Sequence, residues 1–91
     1  MLFIPTEMLE QFLTFCGMMY GTKIHKHASP VGGEYARFMI GESIVLVRDH
    51  VDESIEPLTL EVFCSDEKKL DILTRAWAGA INDEEKETSD E

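Results

Sequence analysis

Cations are scarce in this chain. Eight Lys and Arg stand against eighteen Asp and Glu among 91 residues, for a formal net charge of −10. Nucleic-acid binding needs cationic groups that displace phosphate counterions, so the balance argues against direct nucleic-acid contact. It argues equally against docking on an anionic membrane. Cysteine is as sparse. Cys16 and Cys64 are the only two, set in Thr14-Phe15-Cys16 and Val62-Phe63-Cys64. Two cysteines in apolar surroundings are expected to be buried free thiols in a reducing compartment, not a disulfide framework.

Long apolar runs are missing too. None approaches the roughly 20 residues that a membrane span needs. The opening Met1-Leu2-Phe3-Ile4-Pro5 has no basic segment and no small-residue cleavage site, so it does not read as a signal peptide. A cytoplasmic protein is the expectation. Catalytic signatures are also lacking. The chain has no Gly-x-Ser-x-Gly, no Gly-x-x-x-x-Gly-Lys, no Gly-x-Gly-x-x-Gly, no Cys-x-x-Cys and no His-Glu-x-x-His. The expectation is a protein that is not an enzyme and carries no cofactor.

What is present is a small globular sequence, 44% apolar, with room for one domain. Met8, Phe12, Phe15, Cys16 and Met19 recur at helical spacing between Thr6, a candidate N-cap, and Gly21, a stop signal. They predict a helix over 7–20. Short β-like runs follow at 22–28, 34–40, 43–48 and 58–64. Ser29-Pro30-Val31-Gly32-Gly33 and Gly41-Glu42 separate the first three, and a polar loop over 49–56 precedes the last. Ser65 is a candidate cap for a second helix, whose apolar stripe is Leu70, Leu73, Ala76, Trp77, Ala80 and Ile81. From Asn82 no apolar residue remains, and six acids with one base read as a disordered tail over 82–91. The predicted fold is α+β: a four-stranded antiparallel sheet with one N-terminal and one C-terminal helix, in the order α-β-β-β-β-α. Residues 1–81 form the domain.

One pattern bears on partners. A sheet with one wet face alternates apolar and polar residues. In 43–48, however, Ile44 and Leu46 point one way and Val45 and Val47 the other, and all four are apolar. Both faces of the sheet centre therefore call for cover. Either one helix lies on each face, or both share a face and a partner or second copy masks the other. A homodimer is the expectation.

Candidate chemistry is thin. His25 and His27 would point the same way on a strand, so they are weak candidates for a metal site, with His50 or Cys64 as a third ligand. Lys23, Lys26 and those histidines form the one local basic patch, with Arg37 a candidate neighbour across the hairpin. Asp49-His50-Val51-Asp52-Glu53 resembles paired carboxylates beside a base, but in a polar loop. Met18, Met19 and Tyr20 suit an adaptable interface. The expected partner-binding residues are Asp49, Asp52, Glu53, Glu56, Met18, Met19 and Tyr20, against a protein with a basic surface. In type, a small acidic chain with a charged tail and no catalytic motif is similar to the inhibitors that phages deploy against host nucleases and defence systems. The functional expectation is a protein-binding inhibitor or regulator. Its rivals are a nucleic-acid mimic that occupies a cationic groove and a metal or ligand binder built on His25 and His27.

Overall fold

The computed structural model describes residues 2–31, 33–49 and 59–89, with side chains described for 2–27, 33–49 and 59–82. In chain order these residues form β1 (Leu2–Pro5), α1 (Leu9–Tyr20), β2 (His25–Val31), β3 (Glu34–Ile40), β4 (Ser43–Asp49), β5 (Thr59–Cys64) and α2 (Glu67–Ser89). A 3-10 turn, Thr6–Met8, joins β1 to α1. The strands make one sheet in the order β1-β5-β4-β3-β2, and every neighbouring pair is antiparallel.

The α+β class and the antiparallel sheet agree with the sequence pattern, but the strand count does not. There are five strands, because Leu2–Pro5 pairs with β5, Leu2 opposite Val62 and Ile4 opposite Leu60. Leu2 and Ile4 are buried while Phe3 points the other way. The segment is thus apolar on both sides and only four residues long, too short for an alternation to register. Pro5 ends it on the edge strand of the sheet, a place that tolerates proline. Strand β2 also differs from expectation. It starts at His25 instead of Thr22 and runs through Ser29-Pro30 to Val31, again as an edge strand that tolerates proline.

Register explains the core. Ala36, Val47, Val62 and Leu2 stand side by side in one row across four strands, and Phe38, Val45 and Cys64 form the next. All of these are buried. Phe12, Leu13 and Cys16 of α1 and Leu73 and Trp77 of α2 close over them in a single cluster. The Phe12 and Trp77 rings meet edge to face, with centroids 5.2 Å apart. Both helices therefore lie on the same face of the sheet. Of the two arrangements the sequence leaves open, the structure has both helices on one face: two narrow stripes that meet at Phe12 and Trp77 seal that side together.

The caps differ from the sequence reading as well. Thr6 falls in the 3-10 turn and α1 begins after Met8, with no side-chain cap. At α2 it is Asp66, not Ser65, that caps. Its Oδ1 accepts the N–H groups of Lys68 at 2.9 Å and Lys69 at 3.3 Å. Ser65 extends the β4–β5 ladder instead. Its N–H donates to Ile44 O at 3.1 Å, and its Oγ accepts Ile44 N–H at 3.0 Å. Lys69 then staples α2 to the β3–β4 turn, donating to Ile40 O at 3.0 Å and Ser43 Oγ at 3.1 Å. Gly41 in that turn has φ +63°, and an added Cβ would stand 3.1 Å from Lys69 Nζ. The positive φ favours glycine there, while the Lys69 side chain would have to shift slightly to admit a Cβ.

Candidate interaction surfaces

Charge is segregated along this fold. Segments 50–58 and 83–91 hold nine acids and one base between them, and the rest of the chain holds nine acids and seven bases. So −8 of the net −10 belongs to two short stretches, and the folded body is close to neutral. Topology brings their attachment points together. Strand β4 ends at Asp49 opposite Leu60, which fixes where 50–58 leaves and rejoins the sheet. Helix α2 starts at the other end, stapled by Lys69 to Ile40 and Ser43, and runs back until Trp77 meets Phe12, early in α1. Helix α1 itself begins just after Pro5, which pairs with Thr59. The helical backbone that continues to Ser89, into the acidic stretch 82–91, therefore departs from the end of the sheet where 50–58 is anchored. Acids in the last turns of a helix sit at the negative end of its dipole, an arrangement that a cationic neighbour relieves.

Of the residues expected to bind a partner, Asp49 is exposed at the end of β4, where its N–H donates to Gly33 O at 2.8 Å. Burial, then a hydrogen bond to the Asp49 carboxylate, raises the Tyr35 hydroxyl above its ordinary value. Asp52, Glu53 and Glu56 lie outside the described residues. Met18 and Met19 are exposed on α1, Met18 at 82%. Tyr20 is half-buried, and its Oη is enclosed with no hydrogen-bond partner among the described residues. Burial raises its pKa, and the neighbouring Cys16 and Cys64 push in the same direction. Proximity to Cys64 places Tyr20 toward the far end of β5. Cys64 pairs with Val45, four residues along β4 from Asp49, which is about 13 Å in a strand. The methionine group and the acidic group are thus separate surfaces.

The histidine pair behaves as its spacing implies. The His25 and His27 rings lie edge to face at 5.1 Å. However, His27 Nε2 is 2.6 Å from Glu34 Oε2, and Arg37 grips the same carboxylate through Nε and Nη2, both at 2.9 Å. These partners hold Glu34 below the usual carboxylate range, with Arg37 contributing most. Cys64 is not a third ligand, because it is buried in the core on the opposite face. His50 lies outside the described residues. Among the described residues, no group of three His, Cys, Asp or Glu is placed to hold a metal ion. The expected basic patch also dissolves. Arg37 does pair with His25, but it is bound to Glu34, and Lys26 faces the other way in an ion pair with Glu10 of α1.

The sheet face turned away from the helices is the feature that sequence reasoning left open. Phe3, Met39, Ile44, Leu46 and Phe63 gather there. Leu46 stands opposite Phe63, and Ile44 opposite Met39. Met39 is 44% exposed and Phe63 37%. Among the described residues no helix covers them. Their border is polar and internally paired. Arg48 donates to Glu61 at 3.1 Å and lies 4.9 Å from the centre of the Phe63 ring, while Glu34 is held by His27 and Arg37. The alternation of β4 explains why this face was ambiguous: Ile44 and Leu46 are as apolar as the buried Val45 and Val47 but only partly covered.

Cys16 and Cys64 are both buried free thiols, as expected. Burial pushes Cys16 up to about 12, so it stays a protonated thiol rather than a nucleophile. A groove of about 410 Å³ between β5 and α2 is lined by Val62, Phe63, Cys64, Leu70 and Thr74, with Glu61, Glu67 and Asp71 at its rim. Among the described residues no helix is long and apolar enough to cross a membrane. Neither a protein-family model, nor a curated protein, nor a solved structure matches the chain.

Proposed function

We propose that this chain is a small non-enzymatic protein-binding module that engages a cationic protein surface through its acidic end, and thereby inhibits or regulates the protein it binds. The observation that supports the reading is the charge segregation: −8 of −10 lies in two segments anchored at one end of a nearly neutral body. A charge spread for solubility alone would cover the surface evenly. A charge gathered at one end makes a directional field that steers encounter with a basic partner. The same concentration of charge favours one second reading, in which the acids imitate nucleic-acid phosphates and fill a cationic groove.

The test is a paired capture from a lysate of the source cells. One bait is the native chain. The other carries Asp52→Asn, Glu53→Gln and Glu56→Gln and ends at Asn82. The expected result is a basic protein that is held by the native bait, released as salt rises from about 0.1 to 1 M, and absent from the second bait. The same proteins on both baits would overturn the proposal. Mimicry adds a requirement: the native chain must compete with nucleic acid for the captured protein, and a complex that survives molar salt is not mimicry.

A further inference from the structure

We infer that the sheet face turned away from the helices docks a second copy of this chain, giving a two-fold dimer of stacked sheets. The inference rests on the apolar centre of this face around Leu46, Ile44 and Met39, not on the acids of 50–58 and 83–91, so it stands independently of the cationic-partner reading.

Charge identifies the occupant. Two copies at −10 repel one another, and they can meet only where the local charge vanishes. This face meets that condition. Among the described residues its acids are Glu34 and Glu61, its fixed cations are Arg37 and Arg48, and each acid is already held by one of those arginines. Among the described residues a strongly cationic partner finds no unpaired acid here, and an anionic one no unpaired arginine. A surface that is apolar at its centre and internally neutralised at its border is complementary to itself, as a two-fold interface requires.

Geometry and size agree. Strand β4 is central in the five-strand order, so a two-fold axis over it brings the Leu46 side chains of the two copies together at the middle of the patch. Five strands about 4.8 Å apart and four to seven residues long at about 3.3 Å each give a face on the order of 500 Å² before side-chain relief. Two such faces reach about 1,000 Å², the small end of specific interfaces, which suits a weak, reversible dimer.

The experiment is sedimentation equilibrium on the full chain from about 1 to 500 µM, a range that brackets a micromolar constant. The expected average mass rises from near 10.4 kDa toward twice that value. Leu46→Glu and Met39→Lys should each raise the dissociation constant at least about tenfold. Met18→Lys, on the exposed side of α1, should leave it unchanged. Met39 is half-exposed in the protomer, so Met39→Lys keeps its fold and decides the matter even where Leu46→Glu does not fold. A mass of 10.4 kDa at every concentration, or an unchanged constant in Met39→Lys, would overturn the inference.

Discussion

Trp77→Ala is the sharpest perturbation of the helical layer. Trp77 is 6% exposed. Its ring meets Phe12 edge to face at 5.2 Å and Phe15 at 5.4 Å with a 57° tilt. It is therefore where α2 locks onto α1 over the buried sheet face. Truncating a buried tryptophan to alanine costs about 3–5 kcal/mol, because apolar contact is lost and the cavity only partly closes. About 0.5–1.5 kcal/mol of that belongs to ring geometry beyond buried area, so Trp77→Leu should recover much of the loss but not all. A chain of this size has about 5–14 kcal/mol of stability in total, so the alanine variant should lose about a fifth of it or more. Its melting temperature should fall by about 12–40 °C. Urea unfolding followed by far-ultraviolet circular dichroism reads the difference without needing the tryptophan signal. Ile72→Ala, at a position 57% exposed on the same helix, is the control and should change stability by no more than about 0.5 kcal/mol. A loss below about 1 kcal/mol for Trp77→Ala would put that ring on the surface and refute the placement of both helices on one face.

Other outcomes follow from the same contacts. Glu34 has a depressed folded pKa, so its stabilisation is fully present above the ordinary glutamate value of about 4.3 and fades as pH falls through the lower folded value. Glu34→Gln should therefore reduce stability at neutral pH and flatten the acid limb of a stability-versus-pH curve; an unchanged limb would mean that the carboxylate is not held by Arg37 and His27. Cys16 and Cys64 should resist a water-soluble disulfide reagent in the native protein and react at once in urea, and rapid native labelling would contradict their burial. Ending the chain at Asn82 removes no apolar residue, so the melting temperature should move by less than about 4 °C. A larger fall would show that 83–91 is docked on the body.

Much of the fold was legible because its elements obey simple periods. Strand β5 follows the period of two, β3 and β4 stand out as short apolar runs between turn signals, and the stripe from Leu70 to Ile81 does bury Leu73 and Trp77. The parts that escaped were those where period and burial part company. Strand β1 has an apolar residue at Leu2, Phe3 and Ile4 alike and needs its partner β5 to be visible as a strand. Cap identity at α2 was decided by tertiary structure. Ser65 was taken by Ile44 across the ladder, which left Asp66 to serve the helix. The pattern of Ile44 through Val47 revealed that both sheet faces were apolar, but not which one the helices would take. That choice depends on Phe12 and Trp77 meeting each other, a contact 65 residues apart in sequence. The pairing of Arg48 with Glu61 and of Arg37 with Glu34 was equally out of reach, since it comes from the register of adjacent strands.

Helices cover one sheet face, and the proposed second copy covers the other. Methionine methyl resonances report this directly when a soluble paramagnetic probe is added at low and high protein concentration. Met18 should broaden at every concentration, because it is 82% exposed on α1. Met39 should broaden in dilute solution and become protected as protein concentration rises. A Met39 signal as broad as that of Met18 throughout would show that nothing covers the face, and one protected even at the lowest concentration would show that the chain covers it itself.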